Sequence, residues 1–138
     1  MVKSLFEKDY KTFAKYTYPA IVKMIGGEDK MAQKLKKSFE QMESQGISFT
    51  NCSIETPTLF VRCKNEIQCT ITENIEMKVP QGRLVTKSTL IGISSDNGAT
   101  WTFIDTQGKD VKNLRLNLPN LCESLIIPPN DQPTIYKE

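Results

Sequence analysis

The stretch Glu66–Val79, EIQCTITENIEMKV, decides the fold. Every second residue from Ile67 to Val79 is apolar except Glu73, and the residues between them are all polar. Because side chains of a β-strand point alternately to the two faces of a sheet, this alternation predicts one long antiparallel strand with a dry face and a wet face. We expect this strand at the centre of a curved sheet, with Glu73 interrupting its dry row.

The residues before this strand have the periodicity of helices. A capping-box pattern at residues 4–7 predicts a first helix over about 4–16. Pro19 lacks an amide hydrogen, so it ends that helix and begins a second one over Pro19–Ile25, which a glycine pair stops. A third helix is predicted over about 28–45. Its buried stripe consists of Ala32, Leu35, Phe39 and Met42.

After the third helix the apolar period changes from 3.6 to 2, which predicts strands. Turn signals at 80–82 and 96–98 separate them. Besides Glu66–Val79, the predicted strands cover about 47–55, 59–64, 84–94 and 100–105. A short helix is predicted near 109–114, and the leucine-rich tail after it is expected to pack over the core or at a subunit interface. Helices followed by an antiparallel meander predict a single α+β domain over 1–138, with N-terminal helices on a curved antiparallel sheet.

Composition excludes several classes of protein. The net charge is +2 and no basic stripe stands out, so nucleic-acid binding is not expected. No apolar run reaches the ~18 residues of a transmembrane span. The N-terminal residues have no apolar signal segment, so the chain is expected to be cytoplasmic as written, or exported if a signal segment has been removed. The absence of histidine removes histidine-based catalysis and metal binding, and we expect no cofactor.

The four cysteines are Cys52, Cys63, Cys69 and Cys122. Their spacings contain no Cys-x-x-Cys pair, which argues against a zinc site. Cys63 and Cys69 fall on apolar faces of neighbouring predicted strands, so we expect buried, reduced thiols. The alternative is a disulfide, whose connectivity the sequence does not assign.

The segment SSDNGATW, from Ser94 to Trp101, has the Ser-x-Asp-x-Gly-x-Thr-Trp pattern of an Asp box. It resembles the Asp boxes of sialidase-type propellers, in which the motif is structural and repeated. One copy in 138 residues cannot build a propeller, so a structural hairpin is expected here. Asp96 can accept hydrogen bonds from turn amides, and Gly98 can adopt positive φ.

Glu73 is the first candidate for chemistry. Burial among isoleucines would raise its pKa towards a value useful for proton transfer. The alternative is that the strand bends and leaves Glu73 exposed at the sheet end, since unpaired charges are rarely buried. Asp105, which shares the parity of Trp101 and Phe103, is a weaker candidate.

Tyr10, Tyr16 and Tyr18 are the other candidates. A phenol can donate a hydrogen bond to a ligand carbonyl or oxyanion. The alternative is that these rings brace the helices against the sheet, as aromatic residues at helical spacing commonly do.

The order of elements resembles the NTF2-like, or cystatin-like, superfamily over about residues 4–105. The residues that carry this resemblance are Asp9-Tyr10, Ala14, Tyr16-Thr17-Tyr18-Pro19 and Gly26-Gly27, which are similar to the opening of small bacterial members. The resemblance implies helices cradled by a curved sheet, dimerisation through the sheet and a conical pocket for a small apolar ligand. Some members are isomerases or lyases that use Asp, Tyr or His.

We therefore expect a non-enzymatic module that binds a small molecule or a protein, as a homodimer. The alternative is an isomerase or lyase of the ketosteroid-isomerase kind, with Glu73 as base and Tyr16 or Tyr18 as oxyanion donor. A third hypothesis is a structural adaptor that uses the apolar tail over 114–127.

Overall fold

The fold is described by a computed structural model that covers residues 2–57, 60–106, 110–128 and 133–137. As predicted, it is an α+β fold in which helices pack on an antiparallel sheet. The helices are α1 Val2–Phe6, α2 Tyr10–Lys15, α3 Pro19–Ile25, α4 Glu28–Ser44 and α5 Val111–Asn117. The strands are β1 Ser48–Ile54, β2 Val61–Cys63, β3 Glu66–Val79, β4 Gly82–Ser94, β5 Thr102–Asp105 and β6 Thr134–Lys137. Leu59 and Lys109, at the predicted starts of a strand and a helix, lie outside the described residues.

The hairpin of β3 and β4 is the centre of the sheet. The strand order is β1-β3-β4-β5, with β2 also paired to β3 and β6 to β4. Val79 pairs with Gly82 across the predicted turn, and the φ of Gly82 is 139°, a conformation that favours glycine. The strand predicted from alternation therefore has the predicted bounds and the predicted central position.

The predicted first helix is two helices. Lys8, with a φ of 59°, separates α1 from α2. The carboxylate of Asp9 caps α2 by accepting from the Thr12 amide at 3.2 Å. The prediction of one helix capped by Ser4 is therefore wrong: Ser4 lies inside α1, and an aspartate is as good an N-cap as a serine.

Two other predicted helices are confirmed. Pro19 is the first residue of α3, and Gly26 ends it in the left-handed conformation with a φ of 114°. On α4, the Phe39 ring packs against Phe49 of β1 with centroids 5.2 Å apart. None of the helices in the described part of the chain is both long and apolar enough to cross a membrane.

The two faces of the sheet follow from the alternation of β3. The Glu73 face comprises the odd-numbered residues 67–79 and their register partners, and the Gln68 face comprises the even-numbered residues 66–78 and theirs. Phe49 pairs with Met77, which places the contact with α4 on the Glu73 face. The Gln68 face was predicted to be wet, and this is wrong for its first half, because Gln68 and Thr70 are buried.

The segment 110–128 covers that half of the Gln68 face. Its leucines form one apolar cluster with Ile91 and Ile93 of β4 and Ile104 of β5. These leucines are Leu114, Leu118, Leu121 and Leu125. The apolar tail therefore packs back over the core, which was the first of the two alternatives for it.

Gln68 joins the sheet to this covering segment. Its side chain is completely buried. The Gln68 Nε2 donates to the carbonyl of Asn120 at 2.8 Å and to Glu66 Oε1 at 3.2 Å. The Gln68 Oε1 accepts from the amide of Cys122 at 2.8 Å. A residue from the predicted wet row is thus a fully bonded part of the interior.

Cys63 of β2 and Cys122 of the covering segment form a disulfide, with Cα atoms 5.8 Å apart. The expectation of a reduced Cys63 is therefore wrong. The two cysteines are separated by 59 residues in sequence, and only the packing of the covering segment brings them together. Cys69 is a buried free thiol, as predicted, and Cys52 is also free.

Asp96 organises the turn between β4 and β5. Its Oδ1 accepts from the amide of Thr100 and from the hydroxyl of Ser94, each at 2.8 Å. Hydrogen bonds from the Thr100 hydroxyl and amide, and then from Ser94, lower the pKa of the Asp96 carboxyl to about 2. The Trp101 Nε1 donates to the carbonyl of Gly98 at 3.2 Å, which closes the turn.

Candidate functional site

Glu73 lies in the interior of the Glu73 face, in the middle of β3. Its side chain is 7% exposed. It pairs in register with Ser88 of β4 on one side and Ile54 of β1 on the other. Of the two alternatives for this residue, burial is the one that holds, and the pairing of β3 with β4 continues without a break on both sides of it.

The environment of Glu73 favours the protonated acid. Burial raises the pKa of its carboxyl, and the negative charge of Asp105 raises it further, whereas a hydrogen bond from Cys52 lowers it. The Cys52 Sγ donates to Glu73 Oε1 at 3.1 Å. The four ion pairs within the described part of the chain do not involve Glu73; three lie on exposed side chains, and the Arg83–Glu76 pair lies on half-buried ones. A carboxyl group in this position can donate a hydrogen bond when neutral, and can accept from a cation when ionised.

Cys52 contributes a protonated thiol, which is a poor nucleophile. It lies on β1 and is half-buried. Burial raises the pKa of Cys52 to about 12, and the hydrogen bond to Glu73 and the charge of that residue act in the same direction. Because the thiolate is the reactive form of cysteine, this side chain is chemically inert at neutral pH.

Ser88 is the residue that sequence reasoning missed. It is 2% exposed and faces Glu73 directly across the β3–β4 pair. Among the described residues, its hydroxyl has no hydrogen-bond partner. Leaving a buried polar group unsatisfied costs about 1–3 kcal/mol, so such groups are few in folded proteins and call for an explanation.

A signal for Ser88 exists in the sequence, but it needs the register to be read. Thr86 and Ser88 stand between Leu84 and Leu90 at the period of a strand, so they interrupt an apolar row. Only the pairing of β3 with β4 shows that this interruption lies opposite Glu73. Glu73, Thr86 and Ser88 together form one polar patch in the middle of this face.

The other predicted site residues are divided between the two faces. Asp105 pairs with Leu90, so it lies on the Glu73 face, diagonally from Glu73. The Tyr18 hydroxyl donates to Glu66 Oε2 at 3.0 Å on the Gln68 face, and burial raises the pKa of that phenol. Tyr16 is 43% exposed. The structure therefore brings Asp105 near Glu73 but does not bring Tyr18 there.

Tyr10 stacks on Phe39 with ring centroids 5.6 Å apart, so it braces α2 against α4. Of the two hypotheses for Tyr10, this contact favours a structural role over hydrogen bonding to a ligand. The pKa of the Tyr10 phenol is raised, chiefly by burial.

A concave region lies at the start of α4, away from Glu73. It is an open groove whose lining includes Lys15, Lys23 and Gly27. Helix N-termini attract anions, but Glu28 and Asp29 occupy the first turn of α4 and oppose one. The hydroxyl of the buried Thr17 in this groove donates to a helix carbonyl. The groove is therefore a weaker candidate than the patch around Glu73.

No group of three or more metal-ligating side chains is positioned to hold an ion within the described ranges. No protein-family model matches this sequence, and no curated protein matches it either. The geometry around Glu73 is therefore the basis for a functional proposal.

Proposed function

We propose that this protein is a non-enzymatic binding domain of the NTF2-like kind, which takes a small, mostly apolar molecule against the Glu73 face. The observation that carries the proposal is the hydroxyl of Ser88, which is buried opposite the carboxyl of Glu73 and has no hydrogen-bond partner among the residues that the structure describes. A ligand with one polar head group would satisfy both side chains. Its binding would recover the free energy that the unsatisfied hydroxyl costs the unliganded protein.

The distribution of apolar side chains supports a place for the apolar part of such a ligand. The buried residues Ala14, Val22 and Met31 of the helices form one cluster. Cys69, Ile71 and Leu90 of the Glu73 face form another, separate cluster. The polar patch lies beside the second cluster, so a ligand between helices and sheet would contact apolar surface along its length.

The raised pKa of Glu73 favours a second candidate, proton transfer by an isomerase or lyase. It is weaker than binding, because the predicted oxyanion donor Tyr18 donates to Glu66 on the other face. Exchange of the α-protons of small cyclic ketones in D2O, followed by NMR, tests it. Glu73→Gln must abolish any exchange that the wild type catalyses; exchange that survives this change excludes Glu73 as the base.

We also propose that the protein forms a homodimer through the sheet. β1 pairs only with β3 among the described strands, and its Ile54 side chain is largely exposed. Sedimentation velocity across a hundredfold range of concentration tests the assembly. A dimer that dissociates on Ile54→Lys supports an interface at β1, whereas a monomer at all concentrations excludes the dimer.

Binding can be followed through Trp101, the single tryptophan of the chain. Its ring packs against the cluster of Cys69, Ile71 and Leu90, so its fluorescence should report a ligand on the Glu73 face. We expect 1-octanol to produce a saturable change. The Ser88→Ala variant should bind octanol about fivefold more weakly, since one hydrogen bond is lost.

The matched control is Ser53→Ala, an exposed serine on β1, which should bind octanol as the wild type does. The absence of a saturable change in the wild type would overturn the proposal. Equal affinities for wild type and Ser88→Ala would show that octanol binds elsewhere, which also overturns it.

A further inference from the structure

The patch around Glu73 is acidic and not neutral, because Asp105 lies on the same face. Around Glu73 of β3, the neighbouring strands of the Glu73 face contribute the thiol of Cys52 from β1 and the carboxyl of Asp105 from β5. The thiol of Cys69 lies on the same face, four residues before Glu73. On β4, the register partners nearest Glu73 are Thr86, Ser88 and Leu90, which carry no charge. The described contacts of Glu73 therefore include a hydrogen-bond donor and a second negative charge, but no cation.

The nearest basic side chains of the central strands point away from this patch. Lys87 is the neighbour of Ser88 in sequence, but it pairs with Asn74 and so lies on the Gln68 face. Arg83 pairs with Lys78 on that same face and forms an ion pair with Glu76 at 3.5 Å. Arg62, the register partner of Ile67, does lie on the Glu73 face, but it is six residues along β3 from Glu73 and donates to Asn97. Among the described residues, no hydrogen bond or ion pair joins Glu73 to a cation.

The hydroxyl of Ser88 is the second observation that points to a ligand at this patch. Two carboxyl groups alone would indicate nothing about a ligand, but a buried hydroxyl without a described partner lies directly opposite one of them. A hydroxyl oxygen accepts hydrogen bonds, as a carboxylate does. An ammonium group has three donors and no acceptor, so it matches a carboxylate and a hydroxyl that lie side by side.

We propose that the head group recognised by Glu73 and Ser88 is a primary ammonium, carried on an apolar chain or ring that lies against Ile71, Ile75 and Leu90. This inference rests on the proposed binding function and names the class of ligand: an apolar primary amine. The cation supplies the counter-charge that the described chain does not place near Glu73. Burial of the carboxylate then occurs as a hydrogen-bonded ion pair, and not as an isolated charge.

Binding of an ammonium group should be accompanied by release of a proton from Glu73. In the free protein the Glu73 carboxyl retains its proton over a wider pH range than an exposed glutamate, because it is buried. When an ammonium binds, that carboxyl must ionise, so its proton goes to the buffer. The Cys52 thiol remains protonated throughout, because its own pKa is about 12. A neutral alcohol of the same length requires no proton release.

The experiment compares three probes of equal chain length, octylammonium, 1-octanol and octanoate, by Trp101 fluorescence at pH 7. In the wild type we expect octylammonium to bind about tenfold more tightly than octanol, as charge-assisted hydrogen bonds are stronger than neutral ones. Octanoate should bind most weakly of the three. Glu73→Gln should reduce the preference for octylammonium over octanol to about one.

Glu76→Gln is the matched control, because Glu76 lies three residues further on β3 but on the Gln68 face. This variant should keep the tenfold preference. Calorimetry in two buffers of different ionisation enthalpy adds a readout that needs no variant. Octylammonium should release up to one proton per protein, and octanol should release none.

The three probes distinguish a failure of the ammonium proposal from a failure of the binding proposal. If octanol binds saturably but octylammonium binds no more tightly, or if the preference survives Glu73→Gln, the ammonium inference is overturned and the binding function stands. If none of the three probes binds, the binding function itself is overturned.

Discussion

Each face of the central hairpin buries polar side chains, but their hydrogen bonding differs between the two faces. On the Gln68 face, both the oxygen and the nitrogen of the Gln68 amide have partners. On the Glu73 face, Glu73 receives a bond from a thiol, a weak donor, and the hydroxyl of Ser88 has no partner among the described residues. Most buried polar groups have hydrogen-bond partners, so a buried group without a described partner calls for an explanation, and the ligand proposed above is one.

The physical reason lies in what covers each face. Asn120 and Cys122, which bond Gln68, belong to an irregular part of the covering segment whose backbone groups are free to bond a side chain. The longest N-terminal helix, α4, lies on the side of the Glu73 face, whereas Ala20 and Ile21 of α3 pack against the cluster on the Gln68 face. A helix uses its interior backbone groups in its own hydrogen bonds, so it offers a sheet mainly side chains.

The largest expected effect concerns the disulfide that holds the covering segment. Replacing both Cys63 and Cys122 with alanine should lower the free energy of unfolding by about 4 kcal/mol, because the bond closes a loop of about 60 residues in the unfolded chain. Urea denaturation followed by circular dichroism measures this. Dithiothreitol should destabilise the wild type and leave the double variant unchanged; equal stability of wild type and variant would contradict the prediction.

Gln68→Leu should be the next largest. It keeps the volume of the side chain but leaves the amide of Cys122 and the carbonyl of Asn120 without their partner, at a cost of about 3 kcal/mol. Urea denaturation again gives the value. Gln81→Leu, in the exposed hairpin turn, is the control and should change stability little. A tolerated Gln68→Leu would show that the two faces do not differ as described.

Glu73→Gln should act in the opposite direction. The folded protein keeps a proton on Glu73 that the unfolded chain loses above its ordinary pKa of 4.5, so wild-type stability falls as pH rises from there through the raised pKa. The variant lacks this loss and should be more stable by roughly 1–3 kcal/mol above that range. Thermal unfolding from pH 4 to pH 9 measures the difference, which should grow with pH and then level off.

Glu76→Gln provides the contrast for that series, since Glu76 is paired with Arg83 near the surface. Because the substitution removes this ion pair, it should not stabilise the protein. If Glu73→Gln is less stable than the wild type at high pH, the carboxylate has a partner that the described residues do not reveal.

Ser88→Ala should have the smallest effect, in the direction of higher stability by about 1 kcal/mol. The change removes a buried hydroxyl that has no hydrogen-bond partner in the described ranges, and it leaves a methyl group in place. Thermal unfolding and urea denaturation without ligand measure it. A loss of stability greater than 1 kcal/mol would indicate that Ser88 is satisfied in the free protein, and would remove the basis of the contrast between the two faces.

Much of the fold follows from local signals. The alternation of Glu66–Val79 predicted β3, and Pro19 with Gly26 and Gly27 set the bounds of α3. The first helix was mispredicted because two N-cap residues, Ser4 and Asp9, compete within one turn and a half. Such competition is decided by the packing around the residues and not by their identity.

Glu73 was identified as a candidate from the pattern of one strand, whereas Ser88 and Cys52 were not. The alternation of β3 exposes a single breach without reference to any other segment. Assigning Ser88 and Cys52 to the same patch requires the register of β4 and β1 against β3. The direction of Tyr18, on the opposite face from Glu73, likewise requires the position of the chain beside β5.

By itself the sequence determined the α+β class, the central strand and the residue that interrupts its dry row, because these depend on periodicities of 2 and 3.6 within short stretches. The tertiary structure alone decided which polar residues are buried, that Cys63 pairs with Cys122, and that Ser88 lies opposite Glu73. These features depend on contacts between residues 15 to 59 positions apart in the chain. Periodicity is a local property and carries no information about which distant segment will cover a face.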